Sequence, residues 1–96
     1  MKPSQILQQH RQMITQIIKA HRAHNPRVFG SVAHGTDSEH SDLDILIEPQ
    51  KGMTLFDLGA IRSEVIELTG LDVDIHTPNS LPPHFREMVL LEAVPL

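Results

Sequence analysis

Val28-Phe29-Gly30-Ser31-Val32-Ala33-His34-Gly35-Thr36-Asp37-Ser38-Glu39-His40-Ser41-Asp42-Leu43-Asp44-Ile45-Leu46-Ile47-Glu48 carries the pattern around which the rest of the chain is arranged. It predicts a short strand over residues 27–29, a Gly-Ser turn, a brief helix over residues 31–34 closed by Gly35, a polar loop over residues 36–41 and a second strand over residues 41–48. Side chains two apart on a strand share a face. Asp42 and Asp44 therefore aim together, and Leu43, Ile45 and Ile47 aim the other way, into a core. Neighbouring carboxylates repel, and keeping both ionised is costly unless a cation lies between them. Mg²⁺ suits such a pair, because it takes oxygen ligands and is commonly held by one or two carboxylates plus substrate phosphates. Gly30 lets the backbone approach a phosphate closely, and the helix that follows offers unpaired N–H groups to an anion. The Ser31 hydroxyl adds a hydrogen bond. A phosphate cradle beside metal-binding carboxylates points to a nucleoside triphosphate.

On the N-terminal side, Ser4 is the expected N-cap of a first helix running to about Ala23, with Ile6, Leu7, Met13, Ile14, Ile17 and Ile18 along one stripe. Asn25-Pro26 is expected to stop it. On the C-terminal side, residues 49–52 form a turn, and Thr54 with Asp57 makes a capping box for a helix closed by Gly70. Its expected buried face is Leu55, Leu58, Ile61, Val65, Ile66 and Leu68. Residues 71–76 alternate strictly, with Leu71, Val73 and Ile75 on one face and Asp72, Asp74 and His76 on the other. After a turn over residues 78–83, a last helix over residues 83–93 carries Phe85, Met88, Val89 and Leu91 as apolar positions. Helices alternating with strands make a small α/β domain, with a mixed sheet because connections of differing length allow parallel and antiparallel neighbours.

Composition narrows the function. A chain of 96 residues is one domain with one modest core. It has no apolar run of membrane-spanning length, no apolar stretch of a signal peptide near its start, and no cysteine. A cytoplasmic protein is the expectation. A net charge of -4 and only 3 Phe as aromatics argue against a general nucleic-acid binder. The 7 histidines are scattered without zinc-like pairing and are read as surface residues. Asp37, Glu39 and Glu48 are read as solvated charges. Asp74, facing the polar side of its strand, is the candidate third acid: beside the second strand it would complete a two-metal centre for phosphoryl or nucleotidyl transfer, although Asp72 has the same facing.

Gly30-Ser31, ten intervening residues, then Asp42-Leu43-Asp44, with Val73-Asp74-Ile75 later, resembles the signature of the DNA polymerase β-type nucleotidyltransferases. The whole chain is similar to their minimal nucleotidyltransferases (MNT, MntA-type). The resemblance implies metal binding by Asp42, Asp44 and Asp74, the same three as the catalytic residues, and nucleotide contacts at Gly30, Ser31, His34 and Ser41. It implies Mg²⁺, ATP as substrate, and transfer of AMP to a hydroxyl. It also implies an antitoxin whose partner is a HEPN-type toxin modified on a tyrosine. One position departs: the family commonly has Arg where this chain has His34, and a neutral imidazole cannot reproduce a bidentate guanidinium fork on phosphate. Two rival readings are a binding module that neutralises a partner by covering it, and a small-molecule transferase of the antibiotic-modifying kind. In a chain of this length the second would lack an acceptor domain.

Overall fold

Proline suits the first helical position, where its missing N–H has no carbonyl to lose. Helix α1 (Pro3–Ala20) begins in this way in the computed structural model, which describes residues 1–96, and its N-cap is Lys2 rather than Ser4. The Lys2 N–H donates to Gln5 Oε1 at 2.8 Å. The helix ends at Ala20, earlier than the sequence suggests, because Arg22 takes a φ of 62° and strand β1 (Ala23–Phe29) starts at once. Asn25-Pro26, expected to terminate the helix, lies inside that strand instead. Asn25 has a φ of 51° and the pairing with β2 slips between His24 and Arg27, so the proline occupies a bulge where no ladder N–H is demanded of it.

Helix α2 (Ser31–His34) leads to strand β2 (Leu43–Pro49), helix α3 (Leu55–Thr69), strand β3 (Val73–His76), a 3₁₀ turn (Pro78–Ser80), helix α4 (Pro83–Glu92) and strand β4 (Val94–Pro95). Helix α3 keeps its expected caps: the Thr54 N–H donates to Asp57 Oδ2 at 2.9 Å, and Gly70, at φ 72°, donates to the Ile66 carbonyl at 2.7 Å. The sheet order is β3-β2-β1-β4. Strand β2 runs antiparallel to β1 and parallel to β3, and α3 supplies the crossover that a parallel pair requires. The mixed α/β sheet flanked by helices is thus as the sequence indicates. Strand β4, only 2 residues long, leaves no signal in the sequence. It pairs with the β1 edge through Arg27 and Val28, an edge being where Pro95 is tolerated.

The core lies on one face of the sheet. Leu7, Ile14 and Ile18 of α1, with Ile61 and Val65 of α3, close over Val28, Leu43, Ile45, Ile47 and Val73. The opposite face is covered only in part: Phe29, Leu46, Leu81 and Val89 form a smaller cluster where α4 and its preceding turn lie over β1 and β2. Alternation along β2 puts Asp44, Leu46 and Glu48 on this second face. Leu46 is covered; Asp44 is only half-buried.

Leu55, expected on the buried face of α3, is exposed, and so are the apolar positions Phe85, Met88 and Leu91 of α4, leaving Ile61 and Val65 of α3 and Val89 of α4 as those helices' fully buried positions. Asp37 is not a solvated charge but is 6% exposed, accepting the Ser4 N–H at 2.9 Å. This bond satisfies a first-turn donor of α1 that no helical carbonyl can reach. Glu48 is half-buried and ion-paired with Arg27 across β1 and β2. His21, beyond the last turn of α1, pairs with Glu64 and lies 3.9 Å from Asp57, tying α1 to α3. No helix is long and apolar enough to cross a membrane.

Candidate active site

The register of the parallel pair sets the site. Asp44 of β2 stands opposite Asp74 of β3, and Leu46 opposite His76. Asp74 rather than Asp72 is therefore the cross-strand neighbour of Asp44, while Asp72 uses its backbone carbonyl to accept the Leu43 N–H at 2.9 Å. Asp44, Asp74 and His76 share the sheet face that α4 leaves open, and one ligand atom from each lies within 4.8 Å of the others. Asp42 falls outside this group. It is exposed and precedes the first residue of β2, so the two-residue alternation that pairs it with Asp44 in the sequence stops short of it.

Gly30 packs directly against this acidic pair. Its backbone, at φ 72° and ψ -152°, lies in a region that essentially only glycine enters. A Cβ there would stand 2.7 Å from Asp44 Oδ2. The missing side chain thus makes room for a carboxylate of the site as well as for an approaching ligand. Ser31 opens α2 with its hydroxyl free of bonds within the chain, and the N–H groups of this first turn have no preceding helical carbonyls. His34, at the far end of α2, is exposed, and its Nε2 lies 3.0 Å from Glu92 Oε2 at the end of α4. Ser41 closes the loop before Asp42: its Oγ accepts the Ser38 N–H at 2.8 Å, and its N–H donates to the Ser38 carbonyl at 3.0 Å.

Electrostatics single out Asp44. Burial raises its pKa above the ordinary carboxylate value; the like charge of Asp74 raises it further and Asp42 adds to this, with His76 opposing. A carboxylate that is costly to ionise among other carboxylates is what a divalent cation relieves. The donor set fits such an ion, with oxygens from Asp44 and Asp74 and an imidazole nitrogen from His76. His76 is the residue that reading the sequence left without a role. Its signal was present in the alternation that places it on the polar face with Asp74, but the nitrogen's distance from Asp44 depends on the β2–β3 register.

Comparison with known proteins bears on the family and the fold. A family profile described as a nucleotidyltransferase domain matches residues 11–96. The chain is 38% identical over 81 residues to a Methanocaldococcus jannaschii protein provisionally named protein adenylyltransferase MJ0435, covering 84% of this chain and 87% of that one. A second protein of that organism with the same provisional activity, MJ1217, is 30% identical over 77 residues, or 80% of this chain and 76% of its own. A solved structure described provisionally as a minimal nucleotidyltransferase matches with a TM-score of 0.88 at 40% identity, over 97% of this chain and 95% of that one. A toxin–antitoxin crystallised with AMP-PNP shares the fold at a TM-score of 0.74 and 17% identity, over 88% of this chain and 69% of its own.

Proposed function

The chain belongs to the nucleotidyltransferase domain family, in its minimal form, and on that premise we propose that it transfers AMP from ATP to a hydroxyl of a partner protein and thereby acts as an antitoxin. The partner in this reading is a HEPN-type toxin and the acceptor a tyrosine. The observation that carries the chemistry is the pairing of Asp44 with Asp74 across parallel strands, with the side-chain-free Gly30 against them. The provisional naming of two relatives as protein adenylyltransferases supports a protein acceptor. The toxin–antitoxin with AMP-PNP supports the class of partner and the nucleotide by analogy of fold.

In the reaction the acceptor oxygen forms a bond to the α-phosphorus of ATP. The bond from that phosphorus to the bridging oxygen breaks, and pyrophosphate leaves with the electron pair. A Mg²⁺ ion, when bound, neutralises charge on the phosphate oxygens and the leaving group. The chain's own residues do the rest. The backbone at Gly30 and the first N–H groups of α2 face the triphosphate, and the Ser31 hydroxyl donates to it. Asp44 and Asp74 hold their oxygens side by side as cation ligands, with Asp42 at the mouth of the strand adding negative charge. Asp74, the more exposed of the pair, takes the proton from the acceptor hydroxyl.

A second reading, neutralisation by binding alone, is favoured by one observation. His34, where the family signature has arginine, is paired with Glu92 instead of being free for phosphate. Intact mass of a co-expressed toxin after incubation with this chain, ATP and Mg²⁺ separates the two. Gain of one or more AMP units, lost in an Asp44→Asn, Asp74→Asn double variant, is the expected result. A tight complex without mass gain would establish the binding reading.

A further inference from the structure

We propose that His76 is a ligand of the cation site, making it a mixed carboxylate–imidazole centre that prefers Mn²⁺ and its later transition-metal relatives to Mg²⁺. The inference rests on the reading of Asp44 and Asp74 as cation ligands and adds to it the identity of the third donor.

Three observations carry it. First, the ligand atoms of Asp44, Asp74 and His76 lie within 4.8 Å of one another. Ligands held about 2.1 Å from one ion are separated by about 3 Å when adjacent and about 4.2 Å when opposite, so small side-chain adjustments bring the three onto a single cation. Second, the imidazole is held from behind. Phe29 meets the His76 ring edge-on, with centroids 5.4 Å apart and planes at 62°, and Phe29 is itself the β1 partner of Asp44. The same buried aromatic therefore backs the histidine and stands beside the carboxylate's strand position. Third, His76 lies on β3, an outer strand of the sheet, on the face left open above Asp44, and its imidazole, unlike those of His21 and His34, has no hydrogen-bond partner within the chain.

The chemistry of the donors sets the preference. Mg²⁺ demands near-octahedral oxygen ligation, and a nitrogen donor gives it little. Imidazole suits the transition divalents, whose affinity for nitrogen sites rises along the series from Mn²⁺. A purely structural histidine at this position would pack against Phe29 and leave the two ions bound in whatever ratio the carboxylates set.

The test is metal binding, read without turnover. The metal-free chain is titrated with Mn²⁺ while free Mn²⁺ is followed by its electron paramagnetic resonance signal, and Mg²⁺ is then added as competitor. Even outer-shell changes at metal sites cost roughly 10–100-fold in affinity, so His76→Gln should weaken Mn²⁺ binding by at least about tenfold while Mg²⁺ binding changes far less. An unchanged Mn²⁺-to-Mg²⁺ ratio in His76→Gln, or no Mn²⁺ binding by the natural chain, overturns the proposal. Imidazole ¹⁵N spectra of the natural chain titrated with Zn²⁺ keep the question decidable should the variant not fold. A metal-induced shift confined to His76 among the 7 histidines supports it, and an unmoved His76 overturns it. The outcomes are separable from those for transfer. A His76-dependent Mn²⁺ preference without AMP transfer would sink the transferase reading alone; transfer that ignores His76→Gln in both rate and metal choice would sink this proposal alone.

Discussion

At Gly30 a single missing Cβ serves two ends, since the backbone there is closed to other residues and the space is taken by Asp44 Oδ2 at 2.7 Å. Gly30→Ala is expected to cost about 1–3 kcal/mol from the backbone alone, with the clash on Asp44 added, and urea unfolding midpoints measure it. Asp44 is the converse case, a residue whose removal is expected to stabilise the fold in the absence of metal. Its pKa is raised on folding, so the folded chain holds the proton more tightly than the unfolded chain. Ionised above both values, the carboxylate subtracts stability; the subtraction fades as pH falls through the folded value and is gone below the ordinary value of 3.8. Asp44→Asn should therefore unfold at higher urea than the natural chain at pH 7 without divalent cations, and the gap should close towards pH 3. A divalent cation at about 100 times its Kd should add about 2.7 kcal/mol to the natural chain and little to the variant.

At the scale of elements, the first turn of α1 is completed by a residue 33 positions away. Asp37 accepts the Ser4 N–H. Burial pushes its carboxyl up, but the Ser4 N–H and hydroxyl, its own N–H and the charge of Lys2 pull it down further, and the net pKa lies below 3.8. A carboxylate with a depressed folded pKa contributes stability above its unfolded value, and that contribution is lost as pH falls through the folded one. Asp37→Ala should cost about 1 kcal/mol at pH 7, as loss of a helix cap does, and should cost less in acid below the depressed pKa, where the ionic part of the contribution is gone and only the neutral carboxyl's bond and packing are left. Thermal unfolding of the two chains across pH measures both. Capping by neighbours was legible, as at Thr54 and Asp57, because each partner lies within one turn. Capping by Asp37 was not, because nothing in the local pattern brings residue 37 to residue 4. The same limit hid β4: a two-residue strand has too few positions to show a period, and only the free edge of β1 selects it.

For the whole molecule, stability sits on one face of the sheet and exposed apolar surface on the helices. Ile45→Ala, at a fully buried position, should cost about 2–5 kcal/mol. Leu91→Ser, at a position 83% exposed, should change stability by less than about 0.5 kcal/mol. Urea unfolding of both variants tests this division, and equal losses would mean that α4 is packed more deeply than its exposure shows. Phe85, Met88 and Leu91 share one stripe of their helix in the sequence. Periodicity marks which residues share a side, and the number of layers laid over the sheet decides whether that side is covered.

Local sequence pattern is enough for the kinds and order of the main elements, the Gly-Ser turn, the inward face of β2 and the polar face of β3. Each of these follows from residues a few positions apart, through strand and helix periods and the backbone demands of glycine and proline. Tertiary contacts were needed to show that Asp74 rather than Asp72 meets Asp44, that Asp42 lies outside the close group while still adding charge to it, that His76 joins the acids and that Asp37 is buried. Those outcomes depend on the β2–β3 register and on contacts between distant segments. The physical reason is that a strand's own pattern is unchanged when its neighbour slides by two residues, whereas the pairing of side chains across the sheet is altered entirely.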